Sequence, residues 1–214
     1  MTAAIRDLYY NLKQSDIDSY TRYWDAINPR GDKMREFKFW MFSIFAANMG
    51  WEDNVKCMEA VGNHNDWIDN TAELERRLYN ARTGLWRSKA RDIQRFTQLF
   101  MHKYHSFVRQ SNESCTEYRN RIAETVPGLG LAKASFAIGM LNPNCMVVCL
   151  DRLILRGIHA LKGRQVNKTE YTKMENHWTR LASDYDVKPF IAREIWWNKL
   201  QGFKSTRYWS KTLE

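Results

Sequence analysis

Residues 126–156 read VPGLGLAKASFAIGMLNPNCMVVCLDRLILR, and this stretch decides the fold. It predicts the end of a polar helix, a Pro-Gly-x-Gly hairpin, an apolar helix, an apolar run and a further helix that begins at Asp151. Gly128 and Gly130 permit a tight turn and a close approach of the backbone to a ligand, because glycine has no side chain in the way.

The hairpin also predicts a binding site for an anion. The amides of Gly130, Leu131 and Ala132 stand at a predicted helix N-terminus, where main-chain donors have no partner within the helix and phosphate binds readily. Asp151 is the only acidic residue between Glu124 and Glu170. A phosphate-binding turn followed by one isolated carboxylate indicates an enzyme that acts on nucleic acid.

The net charge of +9 is distributed unevenly along the 214 residues. Residues 1–80 contain 10 Lys+Arg against 13 Asp+Glu, whereas residues 81–214 contain 23 against 11. Such asymmetry is expected when one part of a molecule faces a polyanion, although a generally basic surface would give the same counts.

The sequence shows no sign of export. The N-terminus lacks the apolar core of a signal peptide, and no apolar run is long enough to cross a bilayer. We therefore expect an intracellular protein of the cytoplasm or nucleoid, acting in the host cell if a phage encodes it.

The remaining pattern predicts an all-α protein with about nine or ten helices, because β-branched alternation is scarce and there are only four prolines. The expected helices include one capped by Thr71 and a long basic one that is capped by Ser88 and continues to residue 110. We expect one helical lobe formed by residues 1–35 and 160–214. Residues 36–159 would form a second domain that carries the hairpin (126–139) and Asp151.

The order of helix, (V/L)PGxG hairpin, helix, apolar run, Asp and helix resembles the helix-hairpin-helix (HhH-GPD) DNA glycosylases. Three further segments agree with that family in order and spacing: FWMFSIFAANMGWEDNVKCMEAV (39–61), TGLWRSKARDIQRF (83–96) and VVCLDRLILR (147–156). The last is most similar to the archaeal 8-oxoguanine branch. The resemblance covers roughly residues 35–160. It implies a two-lobed all-α fold with a cleft for DNA and the base, and a DNA repair enzyme that flips out a damaged or modified base and cleaves its N-glycosidic bond.

The resemblance assigns the central catalytic role to Asp151. Cleavage of an N-glycosidic bond leaves a sugar with oxocarbenium character, so that a nearby carboxylate can stabilise positive charge or direct a water onto C1′. Aspartate is also a good helix N-cap, which gives Asp151 a purely structural interpretation. The two roles are compatible.

The position of a nucleophilic lysine is where the sequence departs from the family. In bifunctional members a lysine lies two residues after the second glycine of the hairpin, where its amine attacks C1′ and forms a Schiff base. Here that position is Ala132, and Lys133 follows one residue later, rotated by about 100° on a helix. A one-residue bulge in the hairpin would bring Lys133 back to the site; otherwise it contacts phosphate or solvent. We favour a monofunctional glycosylase and leave lyase activity open.

The resemblance also implies a partner, double-stranded DNA, bound by a monomer. The expected phosphate contacts are the main chain of Gly128, Gly130, Leu131 and Ala132 and the side chains of Lys133, Arg87, Lys89 and Arg91. The expected base-pocket or wedge residues are Asn48, Met49 and Trp51, each of which plain packing would also explain. A monovalent cation at the hairpin carbonyls is the one cofactor implied. The iron–sulfur cluster of some members is not expected, because no cysteine follows Cys149.

Two other functions fit the same motif. One is a transferase that modifies bases in DNA, as some phage-encoded relatives of this fold are thought to do, and these also lack the lysine. The other is a non-catalytic DNA-binding protein that keeps the hairpin only to hold phosphate. An acidic residue at the position that catalysis requires argues mildly against the second.

Overall fold

The computed structural model describes residues 2–29, 31–46, 49–158 and 166–202, and throughout these ranges the secondary structure is helical, without a strand. The expected all-α class is confirmed. The α-helices are α1 (Thr2–Tyr10), α2 (Gln14–Ile27), α3 (Lys33–Phe45), α4 (Trp51–Val61), α5 (Thr71–Asn80), α6 (Trp86–His102), α7 (Cys115–Thr125), α8 (Leu131–Leu141), α9 (Arg152–Gly157), α10 (Lys168–Asp184) and α11 (Pro189–Leu200), with short 3-10 turns at His64–Asp66 and Tyr104–Phe107.

The described residues divide into two compact units. The first unit contains those up to Asn28 and those from Ile138 onward, and the second contains those from Pro29 to Ala137. The boundaries predicted from the sequence lie after residues 35 and 159, with the hairpin and Asp151 in one domain. In the structure the later boundary falls inside α8, and the two motifs belong to different units. The apolar run of α8 is continuous across this point, so composition gives no sign of it.

The second unit is built around α3. This helix is buried along most of its length, from Phe39 to Phe45, and it packs against α4 and α6. Phe37 stacks on Phe96 of α6 with 5.4 Å between ring centroids, and Phe100 lies 4.9 Å from Phe107. This aromatic core fixes the position of α6 relative to α3. Helix α6 begins within the segment 83–96.

The core of the first unit joins both ends of the chain. Tyr9 of α1 meets Trp178 of α10 edge to face at 5.8 Å, and Trp24 of α2 meets Phe190 of α11 at 4.8 Å. Gly139 lets α8 approach the same ring, since a Cβ there would lie 2.3 Å from Phe190 Cδ2. These contacts hold α11 in place, and α11 in turn packs against α9, the helix that Asp151 begins.

Two predicted helix starts are wrong. The cap of α5 is Asn70, whose side chain accepts a hydrogen bond from the Glu73 amide, so Thr71 is the first helical residue. The long basic helix begins at Trp86 and ends at His102, and Ser88 lies in its first turn with its hydroxyl donating to Leu85 O at 3.0 Å. In both places a preceding residue already adopts the cap position.

None of the described helices combines the length and the apolar character that a membrane crossing requires.

Candidate active site and nucleic-acid interface

The hairpin has the geometry that its glycines predict. Gly128 has φ +78°, and a Cβ at this position would lie 3.0 Å from Ile44 Cγ2 and 3.2 Å from Asp92 Cβ. A side chain here would therefore be strained in its backbone and would also crowd two neighbours. Gly130 differs: it has an ordinary φ, and no described atom lies within 4 Å of where its Cβ would be. Open space at Gly130 leaves room for a ligand to approach the main chain.

The first turn of α8 presents main-chain donors. The amides of Gly130, Leu131 and Ala132 donate no hydrogen bond to any described main-chain carbonyl, and the first regular bond runs from the Ala134 amide to Gly130 O at 2.9 Å. Gly130 is exposed, and the next two residues are half-buried. The positive end of the helix dipole adds to these donors, so an anion would be bound favourably here.

Lys133 lies within a regular helix. Because α8 is α-helical from Leu131 and the Ala134 amide bonds to Gly130 O, the first turn holds no extra residue. The Lys133 ammonium lies 5.8 Å from the centroid of the Phe136 ring, one turn along the helix. The bulge that would move Lys133 into the position of Ala132 is therefore not present in the first turn of α8.

Asp151 caps α9 from the end of a buried segment. Residues 147–150 are buried, and the Asp151 Oδ1 then accepts hydrogen bonds from the amides of Leu153 and Ile154, both at 3.0 Å. Its Oδ2 lies 2.5 Å from Nη2 of Arg193. The side chain remains 16% exposed. The carboxylate is thus a helix cap with both oxygens bound, and part of its surface is still open.

The basic residues of α6 separate into two groups. Arg87 and Arg91 are exposed, and the Arg87 guanidinium stacks 4.6 Å from the Trp86 ring. Lys89 is only 4% exposed: its Nζ donates to Phe45 O at 2.9 Å and contacts Met49 Sδ. Lys89 is therefore not a phosphate contact, and that prediction is corrected.

The physical reason for the burial of Lys89 is its register on α6. It lies four residues before Ile93 and seven before Phe96, on the helix face that packs into the aromatic core. Burial lowers the pKa of Lys89 to about 8; the neighbouring charge of Lys133 acts in the same direction, while those of Cys57 and Asp53 oppose it. Lys89 instead joins α6 to the C-terminal carbonyl of α3.

The three predicted base-pocket or wedge residues differ in where the structure places them. Asn48 lies outside the described residues. Met49 and Trp51 are both half-buried, Met49 against the Lys89 ammonium and Trp51 at the first position of α4. Neither projects fully into solvent.

Leu85, which the sequence analysis overlooked, has the features of a wedge. It is 60% exposed and has φ +59°, a left-handed conformation that leucine rarely adopts. It stands between Gly84 and Trp86, the first residue of α6, whose half-buried ring lies 5.4 Å from that of the exposed Tyr79. No periodicity in the sequence marks this residue, because the backbone conformation alone makes it unusual.

Among the residues that the structure describes, no group of three or more His, Cys, Asp or Glu side chains is placed to hold a metal ion.

The fold and these residues define the class of the protein: an all-α chain with a Pro-Gly-x-Gly hairpin and a helix-capping aspartate, as in helix-hairpin-helix glycosylases. A sequence model described as 8-oxoguanine DNA glycosylase, of the Ogg-HhH type, matches residues 16–187. The chain therefore belongs to the 8-oxoguanine DNA glycosylase family, and it is a DNA glycosylase. This match does not favour the transferase or the non-catalytic alternative.

Solved structures establish the same fold. The 8-oxoguanine DNA glycosylase of Methanocaldococcus jannaschii matches with a TM-score of 0.74 at 19% identity, over 94% of each chain. Its glycosylase/lyase complex with a 15mer DNA containing 8-oxoguanine gives 0.74 at 20% identity, over 94% of this chain and 97% of that one. The enzyme of Thermotoga maritima gives 0.75 at 15% identity, with 94% and 98% coverage. No curated protein sequence matches the chain.

The buried ammonium predicts a specific dependence of stability on pH. Burial lowers the Lys89 pKa from 10.5 to about 8, so between these values the unfolded chain binds more protons than the folded protein. The free energy of unfolding therefore gains a contribution that rises with pH. Relative to Lys89→Met, wild type should gain about 2–3 kcal/mol between pH 7 and pH 10, measured by urea denaturation.

The exposed Lys56 provides the matched control. Lys56→Met should change the free energy of unfolding by the same amount at both pH values. A wild-type minus Lys89→Met difference that stays constant from pH 7 to pH 10 would contradict the burial of a charged ammonium at this position.

Proposed function

We propose that this protein releases 8-oxoguanine from double-stranded DNA by hydrolysis of the N-glycosidic bond, without a lyase step. The observation that carries this proposal is the Asp151 carboxylate, bound by two helix amides and a guanidinium and still partly exposed. The family match supports the choice of base, and so do the neighbours named as 8-oxoguanine glycosylases.

The hairpin and α6 supply the contacts to the DNA backbone. The amides of Gly130, Leu131 and Ala132 would bind one phosphate at the N-terminus of α8, and Arg87 and Arg91 offer exposed guanidinium groups. Such contacts fix the position of the duplex without reading its sequence. The M. jannaschii structure with a DNA 15mer supports DNA as the ligand of this fold.

Asp151 supplies the charge that the reaction requires. As the bond between C1′ and the base breaks, positive charge develops on the sugar, and a fixed carboxylate stabilises it more strongly than mobile water does. The base departs with the electron pair of the broken bond, water adds to C1′, and the proton that this water loses passes to the departing base or to solvent. The target nucleotide must first leave the base stack, because its glycosidic bond is not accessible inside the duplex.

The lyase step is left out of the proposal because of Lys133. The position of the family's nucleophile is Ala132, and the regular first turn of α8 keeps Lys133 beside Phe136. An amine rotated by about 100° on a regular helix would point away from the position of the family's lysine. Lys133 instead adds positive charge beside the phosphate-binding amides.

Leu85 is proposed as the residue that fills the gap left by the flipped base. Apolar side chains inserted between base steps are a common means of unstacking DNA. Leu85 is apolar, exposed and held by a strained backbone at the start of α6. The strain is a cost to the fold that a role in DNA binding would explain.

Two further expectations remain part of the proposal. The carbonyls of Pro127, Gly128 and Leu129 accept no hydrogen bond from a described amide, which suits them to a monovalent cation. The protein would act as a monomer, because one chain provides both the phosphate-binding amides and the carboxylate.

Asp151→Asn tests the catalytic role directly. Asparagine caps helices about as well as aspartate, so the fold should persist, but the charge is lost. Release of 8-oxoguanine from a duplex, measured under single-turnover conditions, should fall by at least about 100-fold with unchanged duplex affinity.

Asp32→Asn is the matched control, because Asp32 caps α3 through the amides of Met34 and Arg35 in the same manner. It should release the base at the wild-type rate. An Asp151→Asn variant with wild-type activity would eliminate the proposed role.

Borohydride trapping tests the absence of a covalent step. Wild type incubated with the lesion duplex and borohydride should form no covalent adduct. Lys133→Ala at saturating protein concentration should release the base at the wild-type rate, since the Lys133 amine contributes to binding and is not the nucleophile. A protein–DNA adduct that forms with wild type and is lost in Lys133→Ala would show that the enzyme is bifunctional.

Leu85→Gly should raise the stability of the protein and lower its activity. Glycine tolerates a positive φ, so the variant should be more stable by about 1 kcal/mol in thermal denaturation. Base release should nevertheless slow, because the wedge is lost. Asp186→Gly, which removes the side chain at a φ of +51°, is the control for strain relief alone and should keep full activity. Wild-type base release by Leu85→Gly would exclude Leu85 as the wedge.

A further inference from the structure

Two consecutive residues of α11 carry opposite charges inside the first unit. Arg193 is 3% exposed and Glu194 is 1% exposed. Charged groups are costly to bury unless they are paired and hydrogen-bonded. Nη1 of Arg193 donates to the Glu194 carboxylate, and Nη2 donates to Asp151 Oδ2 at 2.5 Å. One buried guanidinium is thus shared between two carboxylates.

The direction of this guanidinium is fixed by further contacts. Its Nε donates to the carbonyl of Cys149 at 3.3 Å, and its centre lies 5.4 Å from the Trp197 ring. Hydrogen bonds, a ring contact and burial together restrict the side chain to one arrangement. Arg193 therefore binds the Asp151 carboxylate with a side chain that is itself fixed in place.

The segment that leads to Asp151 is fixed by α10. The amide of Val148 donates to Glu175 Oε1 at 3.0 Å, and the Tyr171 hydroxyl donates to Val148 O at 2.7 Å. The Leu150 amide donates to the same Tyr171 hydroxyl at 3.2 Å. The backbone on one side of Asp151 and its carboxylate on the other are thus both anchored.

We infer that Arg193 and Glu194 are positioning residues. They keep Asp151 ionised and oriented, and they leave the cluster of three side chains with a net negative charge. This inference rests on the proposed function. Arg193 alone would cancel the charge of Asp151, and a neutral pair stabilises a sugar cation poorly. With Glu194 the three side chains carry a net charge of −1, so the pair holds the carboxylate without abolishing its charge.

The hydrogen bonds of Asp151 also favour one of its two possible roles. An oxygen that accepts a hydrogen bond from a guanidinium, and one that accepts two from helix amides, are both weak bases, because these donors favour the ionised form. Asp151 therefore acts by stabilising positive charge on the sugar, and it does not remove a proton from the attacking water.

Other ionisable groups also lie beside the cluster. From the segment before α9 comes the thiol of Cys149, and from α10 come Tyr171 and Glu175, which bind the backbone of residues 148–150. Burial acts to lower the pKa of Arg193, but the neighbouring Cys149, Glu194 and Asp151 outweigh it and raise that pKa. The guanidinium stays charged at every pH at which the enzyme can be assayed.

The test is the pH profile of single-turnover base release by Arg193→Gln and Glu194→Gln. Arg193→Gln leaves two carboxylates together without a cation, so one takes up a proton and the acid limb of the profile should move to higher pH. The rate at neutral pH should fall, by up to about 100-fold. Glu194→Gln leaves a net charge of zero and should lower the rate at all pH values, with the acid limb at or below its wild-type pH, because the repulsion between the two carboxylates is removed.

Two variants control the comparison. Arg193→Lys keeps the charge but loses the planar fork, so it should restore the position of the acid limb and only part of the rate. Arg180→Gln removes an exposed arginine of α10 and should match wild type.

If Arg193→Gln does not fold, as judged by circular dichroism, the comparison of Arg193→Lys with Glu194→Gln still distinguishes charge from orientation. Rates that fall equally at every pH in Arg193→Gln, with no shift of the acid limb, would overturn the inference.

A readout without catalysis separates this inference from the proposed function. The ¹³C resonance of the Asp151 carboxyl carbon, assigned by its loss in Asp151→Asn, reports ionisation in the free protein. It should titrate at higher pH in Arg193→Gln than in wild type. If wild type releases no base but the resonance shifts as expected, the proposed function fails and the charge cluster stands; an unshifted resonance overturns the cluster.

Discussion

The interaction on which the rest of the site depends is the bond between the Asp151 carboxylate and the buried guanidinium of Arg193. A carboxylate at this depth needs donors, and it has the first amides of α9 on one oxygen and Arg193 on the other. The packing of the first unit holds the helix that carries Arg193 in place. Gly139 allows Phe190 to approach α8, and this contact sets α11, which carries the guanidinium. The ion pair between Asp151 and Arg193 connects the helical core to the carboxylate that we propose acts in catalysis.

The hairpin meets a different physical requirement in the second unit. For a phosphate to bind the main-chain amides as proposed, the turn has to be tight on one side and open on the other. Gly128 satisfies the first condition, with its positive φ and close neighbours, and Gly130 satisfies the second, with empty space beside it. The aromatic core around α3 and α6 supports this turn, and it takes up the Lys89 side chain, which the sequence suggested for DNA binding.

Local features of the site could be predicted from the sequence, and those that depend on tertiary packing could not. The hairpin turn and the cap at Asp151 follow from residues within a few positions of each other. Arg193 lies 42 residues from Asp151, and nothing in either segment indicates that they pair. Leu85 is unusual only in its φ angle. The burial of Lys89 was accessible in principle, because its spacing to Ile93 and Phe96 follows a helical stripe, but a basic segment suggested a solvated face instead.

The most direct test of this account is the release of free bases by the wild-type protein from matched duplexes that contain 8-oxoguanine, uracil, an alkylated purine, hydroxymethyluracil or no lesion. A fixed carboxylate that stabilises a sugar cation, in a chain of the 8-oxoguanine DNA glycosylase family, predicts release of 8-oxoguanine and an abasic strand that remains unbroken until it is treated with alkali. Tight binding to these duplexes without release of any base would contradict the account.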